Sequence, residues 1–367
     1  MSCRHAPVRD TSRRGDGRVL RMSSASGLEL SAAYHREVVA PLLERRLPGL
    51  PYAAARLGSG SDVLGFDDAQ SRDHDWGLRL TLLVEGGAAQ EVDALLEREL
   101  PTQWRGHPVR FATTWEPVVR QRAEVASAAD FAASRVGIAP QRLVGAAPLD
   151  LVDWLQLTGQ AALEVTAGPV FHDGTGAITA IRERLRTYPE DVRRYAIGAD
   201  WTRIGQELAD VGRAGLRGDE DGSAVIAARH VRTLIHLAHL LHRRWAPYGK
   251  WLARSAAALP DGDALRRSVL AVLRAQDWRT RQGALAALVE QVAALQGQVG
   301  LPTLDPAIEP FFDRPHVGLR GLPELLAEEI TDPAVRALRP GIGTAEQISD
   351  HVSVLVDPVL RRRLVGG

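Results

Sequence analysis

Asparagine is absent from this 367-residue chain, cysteine occurs once, and lysine once among 45 basic residues. The lone Cys3 excludes an intramolecular disulfide and any cysteine-based metal site, which fits a reducing cytoplasm. No apolar run approaches the roughly 18–20 residues that span a bilayer, so no membrane partner is expected. Excess charge of either sign is missing too, with 45 Lys+Arg against 45 Asp+Glu. That balance removes a global field for anionic lipid, and scattered arginines form no basic stripe, so nucleic acid is not the expected partner. No internal repeat and no long low-complexity segment occurs. The arginine excess reflects the codon pressure of a GC-rich genome, against which the surviving Lys250 stands out.

What is present suits a globular protein: apolar residues are 45% of the chain, and the length favours two domains. Residues 1–26 read as a disordered basic arm. The first 21 residues hold six arginines and two aspartates and lack the apolar core of a secretory signal. Translation from Met22 instead of Met1 is an equal reading.

From Glu29 to Leu47, residues Leu30, Ala33, Tyr34, Val38, Leu42 and Leu43 keep a helical period that Pro48 and Pro51 stop. A short strand, a Gly/Ser turn, a buried strand within Asp75–Glu85, a helix over Glu91–Leu100 and a strand over Val109–Trp115 follow. From Leu149 the texture is helical, with periodic stretches at Leu149–Val165, Ala177–Thr187, Asp191–Gly212, Ser223–Trp245 and Ala264–Gln298. Leu301–Asp313 is Pro-rich and reads as a loop, and the last fifty residues as helical with the basic end Arg361–Arg363. The expected class is α+β: a mixed sheet with flanking helices over 27–140, a bundle of five to seven helices over 141–300, and an extension over 301–367.

The segment LGSGSDVLGFDDAQSRDHDWGLRLTLLV carries the chemistry. A turn of Gly58, Ser59, Gly60 and Ser61 after a strand lets backbone amides, with a following helix N-terminus, approach a phosphate closely. Asp73 and Asp75, at alternate positions of a strand, share one face with Cβ atoms about 7 Å apart, a spacing from which two carboxylates can hold one or two Mg²⁺ ions. Two such ions can bind a nucleoside triphosphate and favour in-line attack by a hydroxyl. Taken singly, Gly/Ser turns and Asp-x-Asp pairs are common in loops, and the ordered combination carries the reading.

The arrangement resembles the nucleotidyltransferase fold of polymerase-β-like enzymes and kanamycin nucleotidyltransferase. More closely, GSGSDVLGFDDAQSRDHDWG, RYAIGADWTRIGQELADVGRAGLRGDEDGS and APYGKW resemble a bacterial family known as domain of unknown function 4037, over about residues 50–255. That resemblance implies a nucleotidyltransferase-like N-terminal domain, with Gly58–Ser61 at phosphates and Asp73 and Asp75 at metal. Two departures stand out. His74 occupies the usually apolar position between the acids. The third acid expected on VRFATTW is missing, since Arg110 stands at its centre and Glu116 lies beyond it.

On the second-domain helices, Asp200, Arg203 and Glu207 at i, i+3 and i+7 share one face, either as a solvated ion-pair stripe or as a cleft lining. Gly205 beside them points to close approach of another group. Arg213 precedes a polar turn in which Ser223 is a candidate N-cap. His230, His236, His239 and His242 read as packing or surface residues, because their spacing rotates them around the helix and no acid lies between Ala224 and Trp245. Lys250, flanked by Trp245, Tyr248 and Trp251, is expected to face the aspartates across a cleft as a point charge on a triphosphate.

The expected function is therefore a Mg²⁺-dependent nucleotidyltransferase that moves an NMP from an NTP to a hydroxyl of an acceptor. Arg203 and Arg213 would be secondary phosphate contacts, and Asp200 or Glu207 the general base or an acceptor contact. A non-catalytic nucleotide- or partner-binding module on the same fold is the alternative.

Overall fold

A computed structural model describes residues 26–68, 77–114 and 116–366; the N-terminal arm, Cys3, and Asp73, His74 and Asp75 lie outside the described residues. Helix α1 opens with a capping box in which Ser26 accepts from the Glu29 amide and Glu29 accepts from the Ser26 amide. It runs through Gly27–Tyr34, widens to a π turn at His35–Val39 and resumes over Ala40–Arg46. Pro41 accounts for the widening: it has no N–H, and its ring would clash with the Glu37 carbonyl in a regular α-helix.

Four strands make the central sheet: β1 (Tyr52–Ala55), β2 (Leu80–Val84), β3 (Ala123–Ala126) and β4 (Val170–Asp173), in the order β3-β2-β1-β4. β1 is antiparallel to β2 and β4, while β2 and β3 run parallel, joined through helix α2 (Ala89–Glu99). Side-chain alternation divides the sheet between two cores. Ala54, Leu80, Leu82 and Val84 pack with Leu30, Tyr34, Leu43, Val92 and Leu96. Ala53, Ala55 and Leu83 face the other way, into the large core of the helical body. The sheet is covered on both faces, and the Gly/Ser turn leaves the C-terminal end of its interior strand β1.

The helical body contains α3 (Ala128–Val136), α4 (Gly159–Thr166), α5 (Glu190–Glu207), α6 (Glu220–Leu241), α7 (Gly249–Ala256), α8 (Gly262–Arg274) and α9 (Trp278–Gln298), with shorter helices between them. The α+β class is as expected, and several details differ. Among the described residues of VRFATTW only Arg110–Phe111 is a strand, paired with Arg120–Gln121 outside the main sheet. Arg110 explains this, because its guanidinium bonds Glu97 and the carbonyls of Glu97, Leu100 and Pro101, sealing the end of α2. The strand beside β2 is instead Ala123–Ala126. Asp191–Gly212 and Ala264–Gln298 each divide in two, the latter where Asp277 caps α9 by accepting from the Thr280 amide. Asp219, not Ser223, caps α6, and Ser223 is buried where Arg281 donates to it over 2.8 Å. The expected loop after Leu301 holds a two-stranded ribbon, Ile308–Pro310 with Val317–Leu319.

The C-terminal extension is strapped onto the body by polar contacts. Gln347 donates to the Ala196 carbonyl on α5, Tyr195 donates to the Arg339 carbonyl, and buried Arg361 reaches the carbonyls of Leu355 and Val136. Among the described residues no helix is long and apolar enough to cross a membrane. At the centre of the body, fully buried Trp201 donates its indole N–H to Gln296 Oε1 over 2.7 Å. Trp201→Phe leaves that acceptor unpaired and a void beside it; the expected loss is about 1–3 kcal/mol, read from the urea unfolding midpoint.

Candidate functional site

The Gly/Ser turn is built by a buried charge pair. Arg56, directly after β1, is 2% exposed, and its Nε and Nη2 donate to the two carboxylate oxygens of Asp62 at 2.7 and 2.9 Å. The same guanidinium donates to the carbonyls of Leu57 and Ser59, so it gathers the loop around itself. Gly60 adopts φ +145°, and a Cβ there would lie 2.1 Å from Asp62 Oδ1 and 2.6 Å from Arg56 Nη2. Only glycine fits. The turn continues into a second turn over Ser61–Gly65, closed by the Gly65 amide donating to Asp62 O, rather than into the expected helix N-terminus.

This turn opens onto a cavity of about 860 Å³. Ser59, Gly60 and Ser61 line it together with Lys250 on α7, Asp200 and Arg203 on α5, Arg232 and His236 on α6, and Glu346, Asp350 and Val352 of the extension. Six of the residues singled out from the sequence thus meet in one space. Gly58, at φ +82°, belongs to the same turn, with Arg135 beside it. Lys250 is exposed, and its Nζ sits 4.9 Å from the centre of the Trp251 ring. Arg203 donates to the Gln347 carbonyl. Two of the singled-out residues are elsewhere: Glu207 pairs with Arg229 and Arg213 with Asp210, and neither lines the cavity. Gly205 lies near the Leu319 side chain, but a Cβ there would sit 3.4 Å from it, an ordinary contact, so the close approach expected of this glycine is not what the structure has.

His236 does more than the packing or surface role read from its spacing. Its Nδ1 lies 2.6 Å from Asp200 Oδ2 and its Nε2 lies 3.4 Å from Glu346 Oε1. Burial disfavours a charged imidazole, but the two carboxylates outweigh it and raise the pKa from 6.5 to about 10. The ring is therefore an imidazolium at neutral pH, donating from both nitrogens. Glu346 also accepts from the Gly159 amide at 2.9 Å, and a Cβ at Gly159 would strike the Ala246 carbonyl. The neighbouring His239 differs: buried, with its ring nitrogens at Ile235 O and Ser255 Oγ, it is pushed down to about 4. His242 contacts Asp261 instead.

A second cavity of about 510 Å³ shares Arg56, Arg79 and Arg135 with the first and is lined also by Thr81, Glu116 and Glu124. Glu124 lies on β3 in register with Thr81 of β2, and neighbouring positions in a sheet project from the same face. That is the face of the turn, since Thr81 Oγ1 contacts the amide of Leu57. Glu124 accepts from Arg135 at 2.6 and 2.7 Å. Among the described residues no group of three or more His, Cys, Asp or Glu side chains is placed to hold a metal ion.

Three contributors were not singled out in the sequence. Arg56 had a signal, an arginine in the apolar run YAAARL, which requires a buried partner. Glu124 was hidden in a four-residue strand, and Glu346 lies more than a hundred residues from its histidine, with no local pattern to mark it.

Residues 154–252 match the family described as "Domain of unknown function (DUF4037)". The resemblance read from the sequence holds over this stretch, which carries the helical wall of the cavity from Thr158 to Lys250. The turn before it and the extension after it lie outside the match. Among solved structures, the nucleotidyltransferase-like protein from Exiguobacterium sibiricum 255-15 is similar over 73% of this chain and 77% of its own, at 12% identity and a TM-score of 0.30. A score of that size leaves the fold to the chain's own topology. No curated protein matches the chain.

Two outcomes follow from this geometry. Asp62→Ala strands the Arg56 charge inside the protein, and unfolding measurements should show a loss of about 3–5 kcal/mol. For His236 the folded pKa is raised, so its stabilisation is complete below pH 6.5 and lost as pH rises through about 10. The melting-temperature margin of wild type over His236→Gln should be flat below pH 6.5 and shrink steadily towards pH 10. A margin that grows with pH would contradict the charged pairing.

Proposed function

We propose that the protein is a nucleotidyltransferase that moves an NMP from an NTP to a hydroxyl of an acceptor in a Mg²⁺-dependent reaction. One observation carries the reading: a single cavity joins a glycine-dependent backbone turn after β1 to the lone lysine, Lys250. Its volume lies within the range of small-molecule sites.

In this reading the Ser59–Ser61 backbone lies against the phosphates, where Gly60 has no side chain to hold them off. Lys250 reaches them as a point charge from the first turn of α7, just after Pro247, with the Trp251 ring beside it. Asp73 and Asp75 are the proposed holders of Mg²⁺, as hard oxygen donors. Glu124, on β3 beside Thr81 of β2, is the proposed third acid. Bound there, Mg²⁺ supplies charge neutralisation at the phosphates. The acceptor hydroxyl attacks the α-phosphorus and releases its proton to water in the cavity, the bond to the bridging oxygen breaks, and pyrophosphate leaves. Asp200 is committed to His236 and acts as a positioning residue; Glu207 and Arg213, outside the cavity, have no part.

The alternative, a nucleotide-binding module without transfer, draws support from Asp62 and Glu124, each neutralised by an arginine. Pyrophosphate release from each MgNTP, measured with a small-molecule extract as the acceptor source, separates the two. Transfer predicts release that falls by about 10²-fold or more in the folded Asp73→Ala/Asp75→Ala protein and in Glu124→Gln. Calorimetric NTP binding without any release favours the module.

A further inference from the structure

The helical end of the cavity has charges that the proposed triphosphate contacts, the Ser59–Ser61 backbone and Lys250, do not use. Arg203 lies three residues after Asp200 on α5, and Arg232 four residues before His236 on α6, so each sits one helical turn from the Asp200–His236 contact. Neither has a carboxylate partner among the described residues: Arg203 gives one bond to the Gln347 carbonyl, and Arg232 is exposed. Asp200 and Glu346 are occupied by the imidazolium between them, and Arg361 is buried among carbonyls. Asp350 also lines this end, with no cationic partner among the described residues.

Beside these charges the extension turns apolar side chains into the same space. Val352 is 71% exposed and Val356 69%, and both line the cavity with Leu355. Branched apolar side chains open to water beside two free guanidinium groups describe a ligand with an apolar body and an anionic head. Two fixed guanidinium charges match a dianion better than a single carboxylate, and a phosphate monoester carries close to two charges at neutral pH.

We propose that this end of the cavity is the acceptor subsite and takes a hydroxyl-bearing phosphate monoester, its phosphate held by Arg203 and Arg232 and its apolar body by Val352, Leu355 and Val356. The word acceptor rests on the transfer reading above; the ligand chemistry does not. The extension, which lies outside the family match, then selects the substrate.

Calorimetry on the full chain tests this with phenyl phosphate as the probe, against inorganic phosphate, benzoate and MgATP. Phenyl phosphate should bind more tightly than inorganic phosphate or benzoate. Arg232→Gln, at an exposed position that should leave folding intact, should weaken it about 10-fold, the loss of one charge-assisted contact. Arg203→Gln/Arg232→Gln should weaken it further, Val356→Ser should erase the advantage over inorganic phosphate, and Arg213→Gln, outside the cavity, should change nothing. Phenyl phosphate that fails to bind wild type, binds the arginine variants equally well, or binds no better than inorganic phosphate overturns the proposal. So does a loss of MgATP binding in Arg232→Gln with phenyl phosphate unaffected, because the arginines would then serve the triphosphate. If MgATP binds no form of the protein while the phenyl phosphate pattern holds, the transfer reading falls and the subsite stands.

Discussion

A protonated imidazole between two carboxylates holds the cavity together. Asp200 comes from α5, His236 from α6 and Glu346 from the C-terminal extension, and the other oxygen of Glu346 takes the amide at the start of α4. Four segments, from residue 159 to residue 346, therefore converge on one ring. Removing His236 leaves two carboxylates without their shared counter-charge in a place that water reaches poorly, so the junction depends on the ring. Apolar packing builds the body behind the cavity, but this ionic junction decides where its walls stand.

The turn follows the same logic on the sheet side. A guanidinium that is almost fully buried arranges two carbonyls and one carboxylate around itself, and the loop has little freedom left. Backbone amides fixed in this way need no reorganisation to meet an anion, which is where a binding site gains most over water. The chain has no net charge, yet the charges that face its cavity are placed unevenly. Any attraction for an anion must therefore be local, created by which arginines have carboxylates among the described residues and which do not.

Much of this was legible in the sequence where a signal is local. Helical period marked the N-terminal helix and the long helices of the body, the apolar run marked β2, and Gly58–Ser61 marked the turn. The segments that misled were those whose outcome depends on a distant partner. VRFATTW has the composition of a strand, but Arg110 is drawn to the end of α2, while AEVA, too short to show a pattern, takes the place in the sheet. His236 offered no nearby acid and was read as packing, because both of its partners arrive from other segments. Spacing left Glu207 open between an ion-pair stripe and a cleft lining, and it pairs with Arg229; Arg213, expected at phosphate, pairs with Asp210 outside the cavity.

Lys250 has a consequence that belongs to chemistry rather than to folding. Every other basic side chain of the lysine–arginine class is a guanidinium, so this protein presents one ε-amine, exposed and at the wall of its cavity. Reagents that acylate or reductively alkylate amines will find that single side chain and, apart from it, only the chain terminus. A fluorophore or cross-linker can thus be installed beside the Gly/Ser turn in the unaltered protein, with no engineered residue, to report on whatever enters the cavity.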